Sequence, residues 1–136
     1  MRPAIPAALL AAALLAGCTE SETRAPDSIA AGASDYAQLC VACHGPQGHG
    51  NGPAAAGMTP PVADLSLMAR KNGGSFPWLR AMEQIDGHAM GASDSHMPAY
   101  DELRDGPTVM FDAGDGTRPT PARLVGILRY LQTLQR

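Results

Sequence analysis

The chain has 136 residues, 45% of them hydrophobic but only six aromatic, with 15 Gly and 12 Pro. That length excludes a second catalytic domain, and so much punctuation excludes long regular helices or a large sheet throughout. A formal net charge of -3 with one lysine, Lys71, excludes nucleic acid as a partner, and three cysteines cannot close a disulfide framework.

Residues 1–17 have the form of a secretory signal: Arg2, an Ala/Leu run from Ala7 to Ala16, then small residues. The run is about half the ~20 residues a spanning helix needs. Leu15-Ala16-Gly17-Cys18 resembles the bacterial lipobox, which implies cleavage before Cys18 and diacylglycerol on its sulfur. An ordinary signal peptide that happens to contain a cysteine is the alternative. Residues 18–33 are small and polar and read as a flexible, lipid-anchored tether, leaving 34–136 as the folded domain.

Cys40-Val41-Ala42-Cys43-His44 is a C-x-x-C-H pattern, the attachment signature of c-type haem. On a helix, positions i, i+3 and i+4 share one face, so both thiols and the imidazole leave one short turn together. Two thioethers to the haem vinyl groups and one axial nitrogen follow from that placement. Zinc wants four ligands, and no second C-x-x-C or H-x-x-x-H is present. A thioredoxin-like pair needs a βαβ context, where Gly45 and Pro46 follow instead.

From about residue 34 to 136 the chain resembles the class I cytochromes c, an all-α fold of short helices wrapped around one covalently bound haem. Ser34 is expected to cap a first helix carrying Tyr36, Leu39, Cys40 and Cys43. Thr120-Pro121 is expected to start a last helix with the apolar stripe Leu124, Ile127, Leu128, Leu131 and Leu134. In the family these two helices cross, and Tyr36 and Tyr130 are the aromatics placed to pack there. The resemblance also implies a proline carbonyl accepting a hydrogen bond from the outer nitrogen of the haem histidine; Pro53 is the choice, with Pro60 and Pro61 as alternatives. Asp64–Lys71 and Ser75–Asp86 read as two further helices; Trp78, Leu79, Met82 and Ile85 should line the haem pocket, with Arg80 and Glu83 facing water.

His96-Met97-Pro98-Ala99-Tyr100 resembles the family's M-P-A-aromatic element, which implies Met97 as the second axial ligand beside His44. Pro98 favours an extended backbone at Met97, so the side chain projects from a loop. Met90 is the rival methionine, and His88 or His96 would make a bis-histidine site. After Tyr100 the chain departs from the family pattern with an acidic insertion, 101–118, expected to be a solvated loop; Asp112 and Asp115 leave a calcium loop as the minor alternative.

The resemblance implies a monohaem one-electron carrier, not an enzyme. It would sit in the periplasm, tethered by lipid to a bacterial membrane, between redox-protein donors and acceptors in membrane complexes. The alternative is a haem enzyme or a gas- or peroxide-responsive protein with a labile sixth ligand. A fixed subunit of a larger complex is a weaker third.

Overall fold

A computed structural model of the protein describes residues 25–87 and 97–136. The signal segment, Cys18, His88, Met90 and His96 lie outside the described residues. The described part is a small, mostly helical domain of five α-helices with one minor antiparallel hairpin.

Helix α1 (Ile29–Leu39) starts where the Ser28 hydroxyl accepts a hydrogen bond from the Ala31 backbone N–H at 3.1 Å. The expected cap, Ser34, lies inside the helix, and the folded domain begins before residue 34. Ile-Ala-Ala favours helix immediately after Ser28, and Gly32 is no break in it. Its role is close approach. A Cβ built at Gly32 would stand 1.9 Å from the Gly126 carbonyl oxygen in helix α5 (Ala122–Thr133), so only glycine permits this crossing.

Around the crossing, Val125, Ile127 and Leu128 are fully buried, and Tyr36 meets Tyr130 at 5.2 Å between ring centroids. The mostly buried Asp35 takes a two-pronged bond from Arg123, Nη2 to Oδ1 at 2.6 Å and Nε to Oδ2 at 3.1 Å, tying α1 to α5. Helix α5 begins one residue later than expected, directly after Pro121.

Helix α2 (Val41–His44) follows α1 with only Cys40 between them, and Gly45 at φ 75° ends it. A loop then leads through a short 3-10 turn, Leu65–Leu67, into helix α3 (Met68–Lys71). Helix α4 (Trp78–Asp86) begins later than Ser75, because Pro77 biases Phe76 against helical backbone and sits just outside the first turn.

The expectation of an all-α fold with a solvated insertion needs correcting. Strands β1 (Thr108–Asp112) and β2 (Thr117–Pro121) pair antiparallel, with Val109 opposite Thr120 and Phe111 opposite Arg118. Thr-Val-Met-Phe alternates at period two, and its inward Phe111 packs edge-on against Trp78, which packs edge-on against Phe76. The Asp112 carboxylate accepts from the Gly114 and Gly116 N–H groups, and Asp115 pairs with Arg118. The two aspartates shape the turn, and among the described residues no cluster of three His, Cys, Asp or Glu is placed to hold a metal ion.

Candidate cofactor site at the Cys40–His44 turn

Three backbone bonds build the turn: Cys43 N–H to Cys40 O at 3.2 Å, His44 N–H to Cys40 O at 2.9 Å, and Gly45 N–H to Val41 O at 2.9 Å. They fix Cys40, Cys43 and His44 on one side, and all three line a cavity of about 560 Å³. That is within the roughly 300–1,000 Å³ of small-molecule and cofactor pockets. Helix α4 supplies Ala81 and Ile85 to the wall, the loop supplies Pro60 to Ala63, and Met97 enters from the segment before Tyr100.

The His44 ring has a defined state. Its Nδ1 lies 3.1 Å from the Ala63 carbonyl, which can only accept, so the proton belongs on Nδ1 and the Nε2 lone pair is free. Burial pushes the His44 pKa below its ordinary value, more than the Ala63 bond pushes it up. The ring is therefore neutral at neutral pH. The acceptor is Ala63, and the expectation of Pro53 is corrected: Pro53 is exposed at the start of the 3-10 turn Pro53–Ala55, outside the cavity wall. A bend at Thr59 and Pro60 precedes this stretch, and Pro60 and Pro61 line the cavity beside Ala63.

Both described cysteines are free. Burial, with Asp35 and Cys43 nearby, pushes the Cys40 thiol up to about 12. A thiol so hard to ionise lacks the depressed pKa of thioredoxin-like redox pairs.

Met97 shares the cavity with His44, although 53 positions separate them in the sequence. Its sulfur lies 4.0 Å from the Gln84 side-chain nitrogen. Tyr100, three residues on, donates its hydroxyl to the Leu39 carbonyl at 3.1 Å, pinning this segment to the residue before Cys40. Burial pushes the Tyr100 hydroxyl up to about 12, so it stays a donor.

Of the α4 residues expected to line the pocket, Ile85 does so and Trp78, Leu79 and Met82 do not. Arg80, Ala81, Gln84 and Ile85 line the cavity, while Trp78 and the buried Met82 turn toward the hairpin, with Arg118 Nη2 4.0 Å from the Met82 sulfur. Apolar spacing located the buried side of this helix without saying which neighbour it met. Ala63 carries no sequence signal, because every residue has a carbonyl. No protein-family model, curated protein or solved structure matches this chain.

Proposed function

We propose that this protein is a monohaem electron carrier of the class I cytochrome c kind. Cys40 and Cys43 hold the haem covalently, and His44 and Met97 serve as its axial ligands. The observation that carries the reading is the gathering of Cys40, Cys43, His44 and Met97 around one cavity from two distant segments.

The residues fit such a group. The cavity has cofactor size and mostly apolar walls, His44 offers a free Nε2, and Met97 offers a neutral thioether. The two free thiols, three residues apart on one turn, would be the residues that hold such a group covalently. Bound there, haem supplies a one-electron iron couple, which a thioether ligand biases toward the ferrous state. The protein's part is to hold the ligands and exclude water. Ala63 fixes the His44 ring plane, Tyr100 fixes the segment bearing Met97, and Ala81 and Ile85 of α4 add apolar surface to the site. Were His44 and Met97 both to ligate the iron, the group would serve electron transfer and not substrate binding, which favours a carrier over an enzyme.

The lipobox at Cys18 and the leader before it support a periplasmic protein tethered to a bacterial membrane, acting between redox proteins in membrane complexes. No helix among the described residues is long and apolar enough to cross a membrane.

The test is expression in a host that matures c-type cytochromes. Acidified acetone should leave the colour with the polypeptide. Met97→Leu should remove the sulfur-to-iron charge-transfer band and lower the reduction potential. Haem that extracts into the solvent from intact protein overturns the covalent reading, and carbon monoxide binding by the wild type at neutral pH would favour the enzyme or sensor instead.

A further inference from the structure

We propose that Gln135 and Arg136 are positioning residues for His44, acting through the segment that carries the Ala63 carbonyl. The inference rests on the reading of His44 as an axial ligand and goes beyond it, because neither residue lines the cavity.

Residues 61–64 belong to no helix or strand, so nothing in their own hydrogen bonding holds the Ala63 carbonyl against the ring. The support comes from two sides. On the first lies the loop after His44. Leu65 N–H donates to Gly48 O at 2.6 Å, and Gly50 N–H donates to His44 O at 2.9 Å. A Cβ built at Gly50, which has φ +73°, would stand 2.4 Å from the Val62 carbonyl oxygen and 3.1 Å from that of Ala63. The two backbones are in direct contact there, with no side chain between them.

On the second side stand Gln135 and Arg136. The Gln135 amide nitrogen donates to the Leu65 carbonyl at 2.9 Å and to the Leu131 carbonyl in α5 at 2.7 Å, while its oxygen accepts from Ala69 N–H at 2.9 Å. A side-chain amide supplies the two donors and the acceptor used here without charge. Arg136 donates its backbone N–H to Ser66 O at 3.1 Å, its Nε to Ser66 Oγ at 2.8 Å, and Nη2 to Asp64 Oδ2 at 3.2 Å. Ser66 is 1% exposed and donates its own hydroxyl to Asp64 Oδ1 at 2.6 Å. Asp64, Leu65 and Ser66 are thus tied one after another to the two residues that follow α5 closely, Gln135 and Arg136, and Ala63 is the next residue along.

The loop side sets how closely Ala63 approaches, and the Gln135–Arg136 side keeps it there. Loosening those ties should free the carbonyl while leaving Cys40, Cys43 and His44 unchanged in sequence. A carbonyl on Nδ1–H makes the imidazole a stronger donor at Nε2, so a weaker bond favours the ferrous state and raises the potential.

The test compares the full-length Gln135→Leu/Arg136→Leu variant with Arg129→Leu, which breaks the ion pair between α5 and Asp27 and touches none of these ties. Hydrogen exchange of the His44 Nδ1 proton is followed by NMR, and the potential is measured on the haem-loaded protein. The double variant should exchange about tenfold faster, the effect of losing one net hydrogen bond from local opening, and its potential should rise. Arg129→Leu should change neither, and Arg136→Lys, which keeps a cation for Asp64, should stay near the wild type. If the double variant and Arg129→Leu lose similar stability and show the same exchange rate and potential, the ties are merely structural and the inference is overturned. Wild-type protein lacking covalent haem would instead sink the proposed function and this inference with it, an outcome that the haem content of the wild type distinguishes from failure of the ties alone.

Discussion

Substituting Gly32 by alanine sets two physical effects against each other. Alanine favours helix over glycine by about 1 kcal/mol at an interior position, so a view of α1 as an isolated helix expects stabilisation. The crossing says otherwise. The added Cβ would lie 1.9 Å from Gly126 O, 2.2 Å from Gly126 C and 2.7 Å from Ile127 N, all backbone atoms that no rotamer change can move. Restoring ordinary contact requires α1 and α5 to separate by about 1.5 Å, and a gap of even 1 Å forfeits up to half of each dispersion contact it opens. The contacts at risk are those of Tyr36, Ile127 and Leu128, all at most 1% exposed. Overpacking of this kind costs about 1–3 kcal/mol before such losses, and the net destabilisation should be about 3 kcal/mol after the gain in helix propensity. In a domain of this size that lowers Tm by roughly 15 °C.

Equilibrium urea unfolding of the haem-loaded protein, followed by far-ultraviolet circular dichroism, measures the effect, with Ser34→Ala on the exposed face of α1 as the control. Gly126→Ala should be milder, because its nearest obstacle is the Pro26 carbonyl oxygen at 2.7 Å. A Gly32→Ala protein as stable as the wild type would refute the reasoning, since helix propensity alone would then govern the site.

What the sequence makes legible here is what local chemistry decides. Cys40, Cys43 and His44 leave one turn because the spacing of a helix requires it, and the α5 stripe from Leu124 to Leu131 is buried because its period matches a helix face. Pro98 marks Met97 as a loop side chain, and Met97 does reach the cavity from a segment without helix or strand. The misreadings share a cause, which is that the deciding partner is far away in the chain. Gly32 looks like a weak spot in a helix until Gly126 lies against it, and Ser28 outcompetes Ser34 as a cap because α1 is long enough to cross α5. The hairpin hid in an acidic, glycine-rich stretch, where five residues of alternation gain their meaning only from Trp78. Pro53 is near His44 along the chain, whereas Ala63 adjoins residues 64–66, which are bonded to Gly48, Gln135 and Arg136.

Three further outcomes follow from the same contacts. Arg123→Met leaves the Asp35 carboxylate buried without its partner and should cost about 2 kcal/mol in urea unfolding; a loss under about 0.5 kcal/mol would show that the pair is idle. The Ser66 hydroxyl, helped by the Ser66 N–H and Arg136, holds the Asp64 carboxyl below its ordinary 3.8, so its contribution is complete above that value and fades as pH falls through the lower folded value. Asp64→Asn should therefore be less stable than the wild type at neutral pH and converge with it in acid, and a gap that persists or widens on acidification counts against the assignment. The Cys40→Ala/Cys43→Ala variant cannot anchor a cofactor covalently, and a cofactor-free chain has to flood or collapse about 560 Å³ of mostly apolar cavity. At about 24 cal/mol per Å³, the cost of a rigid dry cavity of that size is of order 13 kcal/mol. Water entry and relaxation lower it, but the stability of a small domain is only about 5–15 kcal/mol. The cofactor-free variant should accordingly show reduced helix content and no cooperative thermal transition by circular dichroism; a sharp transition near that of the haem-loaded wild type would mean that the helices hold together without the group this cavity is proposed to house.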